Sequence, residues 1–130
     1  MMDGAAKGSV RGLLRLEALA LFAASVALYW YIGGDWKLFA ILILVPDLSM
    51  IFYIAGARIG SLAYNTMHST LGPIALAAAS HFVPQQPLLL PIALIWGAHV
   101  GIDRALGYGL KYASAFGDTH LGRIGRRVAA

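Results

Sequence analysis

Four apolar stretches of about 20 residues each, over positions 13–32, 37–56, 60–82 and 88–107, leave this 130-residue chain few ways to fold. At about 1.5 Å of rise per residue, a helix of that length matches the roughly 30 Å hydrocarbon layer of a bilayer. Composition agrees: 59% of residues are hydrophobic, 12% are charged and mean hydropathy is +0.71, values foreign to a soluble domain of this size. The expected fold class is all-α, an integral membrane four-helix bundle running up-down-up-down. It divides into a cytoplasmic N-terminal segment at 1–12, a four-span bundle at 13–107 and a cytoplasmic tail at 108–130.

The net charge of +4 invites a nucleic-acid reading, and the positions of the charges argue against it. Lys7, Arg11, Arg15, Arg58, Arg104, Lys111, Arg123, Arg126 and Arg127 fall at the termini or between spans two and three, whereas Lys37 stands alone on the other side. That asymmetry places both termini in the cytoplasm and the chain in the cell (inner) membrane. Anionic lipid headgroups are the expected partners of this basic rim. The alternative of a cleaved secretory signal, prompted by basic residues ahead of an apolar run, fails at Leu28-Tyr29-Trp30-Tyr31-Ile32, which is bulky where a cleavage site needs small residues. The first span is therefore expected to be retained as an anchor. With no cysteines, disulfides, thiolate ligands and thiol nucleophiles are excluded.

Between the spans, Gly33-Gly34-Asp35 reads as a short outer turn flanked by an aromatic belt of Tyr29, Trp30, Tyr31 and Trp36. Pro46 is expected to disturb the second helix beside Asp47, and Gly72-Pro73 to kink the third. Small residues, among them Ala23, Ala24, Ser25, Gly97, Ala98 and Gly101, mark close helix contacts. Those contacts are compatible with one chain or with a homo-oligomer.

Polar residues interrupt every span. With about 1.5 Å per residue, Glu17, Asn65 and Asp103 fall about 4 to 8 Å inside the cytoplasmic boundary, and Asp47, His68 and His99 about 12 to 14 Å inside it. Because the helices alternate in direction, this agreement requires polar residues early in spans one and three but late in spans two and four. Asn65 and His68 are three apart and His99 and Asp103 four apart, so each pair shares a helix face. An acid facing lipid at mid-helix costs about 3 kcal/mol, so Asp47 and Asp103 should face protein.

Carboxylates and imidazoles around a bundle suit a divalent transition metal. In that reading Asp47, His68 and His99 are the metal ligands, Asp103 ligates or orients His99, and Glu17 is a general acid/base. Arg104 is an outer neighbour of the site or a headgroup anchor. No His-Glu-x-x-His signature is present. Other readings stay open: a small-molecule site, a hydrogen-bonded network that only holds helices together, a proton-linked transport path, and a haem held by His68 and His99. The apolar runs Leu38–Val45 and Leu88–Ile95 offer no relay through the outer half, which weighs against conduction.

In the tail, Tyr108, Lys111 and Tyr112 read as interfacial anchors, while Asp118, His120 and Arg123 are candidates to cap the cytoplasmic mouth, transfer protons (His120 as a catalytic group) or contact a phosphate. The glycines here form no phosphate-loop fingerprint.

Arg15-Leu16-Glu17, Pro46-Asp47-Leu48-Ser49-Met50, Tyr64-Asn65 with His68, and HVGIDRALGYGLKY at 99–112 followed by DTHLGRIG together resemble a bacterial family of small membrane proteins defined by a domain of unknown function. The resemblance covers about residues 11–125 and rests on several motifs in order. It implies the same four-span organisation, and a distinctive pattern made of Glu17, Asp47, Asn65, His68, His99, Asp103, Asp118 and His120. It implies no particular activity or cofactor. Ala113, where the family pattern favours proline, is a departure that loosens the connection after Lys111-Tyr112.

Overall fold

The computed structural model describes residues 5–112 and 118–124. Within them the order is α1 Gly8–Tyr31, α2 Trp36–Leu42, a 3₁₀ helix over Val45–Ala55, α3 Ala57–His68, α4 Leu71–Phe82, α5 Leu89–Leu106, and a hairpin of β1 Asp118–Thr119 with β2 Gly122–Arg123. The chain is thus essentially all-helical. Three stretches are long and apolar enough to cross a membrane: Gly8–Tyr31, Trp36–Ala55 and Leu89–Leu106. Their outer surfaces are what a lipid solvent requires, with Leu16, Ile41, Ile54 and Leu106 all exposed.

The third expected span is a broken one. Proline at position 73 has no N–H for the carbonyl of Ser69, and its ring would collide with that carbonyl in a continuous helix. The chain avoids the collision at Ser69 itself, which takes an extended conformation with φ −76° and ψ 147°. Pro73 then lies in the first turn of α4, where a missing donor costs nothing. The expected kink is therefore a full interruption placed four residues before the proline. The carbonyls freed at the end of α3 are not left bare: Trp96 Nε1 donates to Met67 O at 2.6 Å and Arg104 Nη2 to His68 O at 3.3 Å. Both donors come from α5, which thereby holds the break.

Proline also divides the second span. Regular α-helix stops at Leu42, and the chain continues as 3₁₀ helix from Val45 with Pro46 in its first turn. Asp47 N–H now bonds Leu44 O, at 3.1 Å, instead of Ile43 O. Pro46, the 3₁₀ partner of Ile43 O, has no N–H to give. One carbonyl inside the span is thus left seeking a donor.

The central packing is α1 against α5, antiparallel, through small residues. Gly97, Ala98 and Gly101 of α5 are buried, as are Ala18 and Ser25 of α1. α5 ends at Gly107, whose φ of +100° belongs to the left-handed region. Gly107 N–H bonds Arg104 O and Tyr108 N–H bonds Asp103 O, a Schellman closure that turns the chain back toward the helices. The Gly33-Gly34-Asp35 turn is also more built than a simple belt. Tyr29 is fully buried, packs edge-on against Trp36 and Phe39, and donates its hydroxyl to Asp35 O. Trp30, Tyr31 and Trp36 are exposed.

Candidate metal centre

Both proline breaks lead to one place. His99, 2% exposed on α5, donates its Nδ1–H to Ile43 O, the carbonyl orphaned by Pro46. His68, 3% exposed at the end of α3, donates Nδ1–H to Tyr64 O at 2.9 Å. A carbonyl only accepts, so each Nδ1 carries a proton, and each ring in its neutral form turns an unprotonated Nε2 inward. Outer hydrogen bonds of this kind set the tautomer of metal-ligating histidines.

The two Nε2 atoms lie 3.0 Å apart. Asp47 Oδ1 is 3.1 Å from His68 Nε2 and 3.2 Å from His99 Nε2. Asp103 Oδ2 is 3.3 Å and 3.2 Å from the same atoms. All four potential ligand atoms fall within 4.8 Å of one another. A tetrahedral ion with bonds near 2.0–2.2 Å separates its ligands by about 3.3–3.6 Å, so the cluster needs only small adjustment to fit one. Four lone-pair donors facing each other repel unless a cation, proton or metal, lies among them. A porphyrin has no room between nitrogens 3.0 Å apart, so the haem alternative has no place here.

The remaining candidates are distributed around this cluster. Asn65 does not face it. Its Nδ2 donates to Lys111 O at 2.8 Å and its Oδ1 accepts from Lys111 N–H at 2.6 Å, clamping the returning tail to α3. Lys111, expected to be an interfacial anchor, is instead 4% exposed, with its ammonium 4.8 Å above the Tyr64 ring. Tyr64 stacks in turn on the His68 imidazole, with ring centres 3.7 Å apart and planes within 6°. Burial lowers the Lys111 pKa from the usual lysine value while Asp103 and Asp47 pull it back up. The sequence signal for this lysine was its place in the motif ending at Tyr112; nothing in its spacing marked it as buried.

Glu17 and His120 are not beside the four ligands, contrary to their expected acid/base roles there. Glu17 is exposed on α1. It lines a separate cavity of about 160 Å³ together with Arg104 and His120. His120 closes the tail: its Nδ1 accepts from Leu110 N–H at 2.8 Å, its N–H bonds Leu110 O at 3.0 Å, and its carbonyl accepts from Ala6 N–H at 2.8 Å. The side chains of Asp118 and Arg123, and Ala113, lie outside the described residues.

Two measurable consequences follow from the tail. Asn65→Ala strands a buried backbone donor and acceptor at Lys111, and should weaken tail docking by about 2–4 kcal/mol. Hydrogen exchange at the Lys111 amide should then accelerate while exchange in α1 stays unchanged. Docking should also depend on pH. Burial and the Arg104 charge lower the His120 pKa from its ordinary 6.5, and a protonated Nδ1 cannot accept the Leu110 N–H. With the folded value below the unfolded one, the undocked tail takes up protons first. The stabilisation is therefore complete above about pH 6.5 and declines as pH falls below it. Leu110 exchange should rise between about pH 8 and about pH 5 beyond the intrinsic chemical trend. The excess should be absent in His120→Gln.

No curated protein and no solved structure matches the chain. Residues 11–124 match the family described as Domain of unknown function (DUF4260), a span that contains every residue of the four-ligand cluster, the Asn65 clamp and the hairpin. The chain belongs to the DUF4260 family.

Proposed function

We propose that this protein is a membrane metal-binding protein whose Asp47, His68, His99 and Asp103 hold one divalent transition ion of the zinc class. One observation carries the reading: both Nδ1 protons are committed to carbonyls, so in the neutral rings two Nε2 lone pairs converge with two carboxylate oxygens within 4.8 Å, an arrangement that calls for a cation among them. Mixed imidazole and carboxylate donors at tetrahedral spacing suit zinc and its neighbours over calcium or magnesium, which prefer all-oxygen shells. Four protein donors fill a tetrahedral shell, the pattern of holding sites rather than of hydrolytic sites that keep a place for water.

The same reading gives the chain four crossings, with α3 and α4 together making the broken third one. The hydrogen bond from Ala6 N–H to His120 O brings the two ends of the described chain together, which supports an even number of crossings. The distribution of basic residues puts both ends in the cytoplasm. The ion reaches the site from that side, because the carboxylates are its open face: Asp47 is 31% and Asp103 18% exposed, against 3% and 2% for the histidines. The outward side is sealed by Pro46, Met67, Ile95 and Trp96, which line an apolar cavity of about 210 Å³. That wall disfavours a proton or ion path through to the outer surface.

Metal analysis of protein purified in detergent without chelators, then incubated with zinc and desalted, tests the assignment. About one ion per chain should remain, and His68→Ala with His99→Ala should reduce it to background. Retention of no ion by folded wild-type protein overturns the proposal.

A further inference from the structure

The cavity that holds Glu17 has a chemistry of its own. It lies where α1, the α3–α4 break, α5 and the tail hairpin meet, and its polar wall consists of Glu17, Thr70, Arg104 and His120. Arg104 spends one amino group on His68 O, and its Nε, buried, has no hydrogen-bond partner among the described residues. His120 uses Nδ1 as an acceptor, so in the neutral ring the proton sits on Nε2 as a second donor. Glu17 lines the same wall, yet forms no ion pair among the described residues. An acid and an arginine share one cavity without neutralising each other.

The apolar wall gives the ligand a direction. Leu21 lies one turn further along α1 than Glu17, about 6 Å deeper toward the bilayer centre. On the crossings proposed above, donors and an acid therefore sit at headgroup depth, and hydrocarbon lies directly below. A free anion would satisfy Arg104 and leave Glu17 facing like charge. A group carrying both a phosphate and a nearby ammonium satisfies both. A choline headgroup has no N–H for the carboxylate, and a glycerol headgroup has no cation for it.

We propose that this cavity binds the headgroup of a phospholipid with a primary amine, the phosphate oxygens on Arg104 and His120 and the ammonium on Glu17. The site is separate from the four clustered ligands, and its test does not depend on metal. The full-length protein in detergent is mixed with phosphatidylethanolamine, phosphatidylcholine or phosphatidylglycerol of identical acyl chains, and retained lipid is counted by native mass spectrometry. Wild-type protein should retain the ethanolamine lipid about tenfold better than either competitor, the worth of one charge-assisted hydrogen bond. Glu17→Gln, isosteric at an exposed position, should fold normally and lose that preference. Displacement of the lipid by soluble phosphoethanolamine assigns recognition to the headgroup alone; persistence of the preference without displacement assigns it to the whole lipid. Equal retention of the three lipids, or a preference unchanged in Glu17→Gln, overturns the proposal.

Discussion

Stripping the proposed zinc-class ion from purified protein should lower its thermal midpoint by roughly 10 °C, and restoring zinc should recover it. The size follows from linkage: a ligand present at roughly a thousandfold over its Kd stabilises the folded state by about 4 kcal/mol, which for a chain of this size is roughly 10 °C or more. The proposed ligands come from three segments that backbone hydrogen bonding does not unite: Asp47 from the 3₁₀ helix, His68 from α3, and His99 and Asp103 from α5. An ion among them would cross-link two interrupted spans to the central helix. The zinc-induced gain should vanish in His68→Ala and His99→Ala and shrink in Asp47→Asn, which keeps the shape and removes a charge. The readout is the difference between zinc-loaded and chelated midpoints for each variant, so any cavity left by a truncated histidine cancels. An equal gain in wild type and double variant would place the zinc effect elsewhere.

Gly101→Leu should yield no folded protein, and Gly101→Ala should lose about 1–3 kcal/mol. A Cβ at Gly101 would stand 2.6 Å from Phe22 N and 2.9 Å from Ala18 O. Both neighbours are backbone atoms of α1, so no side-chain rotation relieves the collision and the helices must separate. In a bilayer, close packing of small residues carries much of the helix association that water would otherwise drive. Gly12→Ala supplies the contrast. A Cβ there meets nothing within 4 Å, and alanine in an exposed helix position should be neutral or stabilising by up to about 1 kcal/mol. Thermal scans of the three variants in one detergent check the order. Because α5 also carries His99 and Asp103, Gly101→Ala should weaken zinc retention as well, whereas Gly12→Ala should not.

The candidate cluster was legible because alternating helix direction makes depth a sharp constraint. Asp47, His68 and His99 lie on different spans and reach similar depth only if the polar residues come late in one and early in the next. The spacing of His99 and Asp103 put both on one face of one helix. Depth cannot tell sectors apart, however. Glu17 and Asn65 shared the shallow layer with Asp103, yet Glu17 lies in another cavity and Asn65 turns to the Lys111 backbone. Which way a polar residue points around a helix axis depends on the rotation of that helix against its neighbours, and no single-chain periodicity contains it. Tail docking was invisible for a related reason: its hydrogen bonds join Asn65 to Lys111 and Ala6 to His120, far apart in sequence and without a hydrophobic period of their own.

The sequence by itself determined that this chain is an apolar, helical protein built to cross a membrane, where basic residues collect, and at which residues its spans would be disturbed. Those are properties of composition and of proline covalent chemistry, which act locally. Only the tertiary structure decided what the disturbances accomplish. Pro46 orphans Ile43 O and Pro73 ends α3 near His68, but the positions of α5 and its histidine, arginine and tryptophan convert those local defects into satisfied hydrogen bonds around a four-residue cluster. The physical reason is that a proline dictates which backbone bond is lost, whereas the group that replaces it must arrive from another segment through packing.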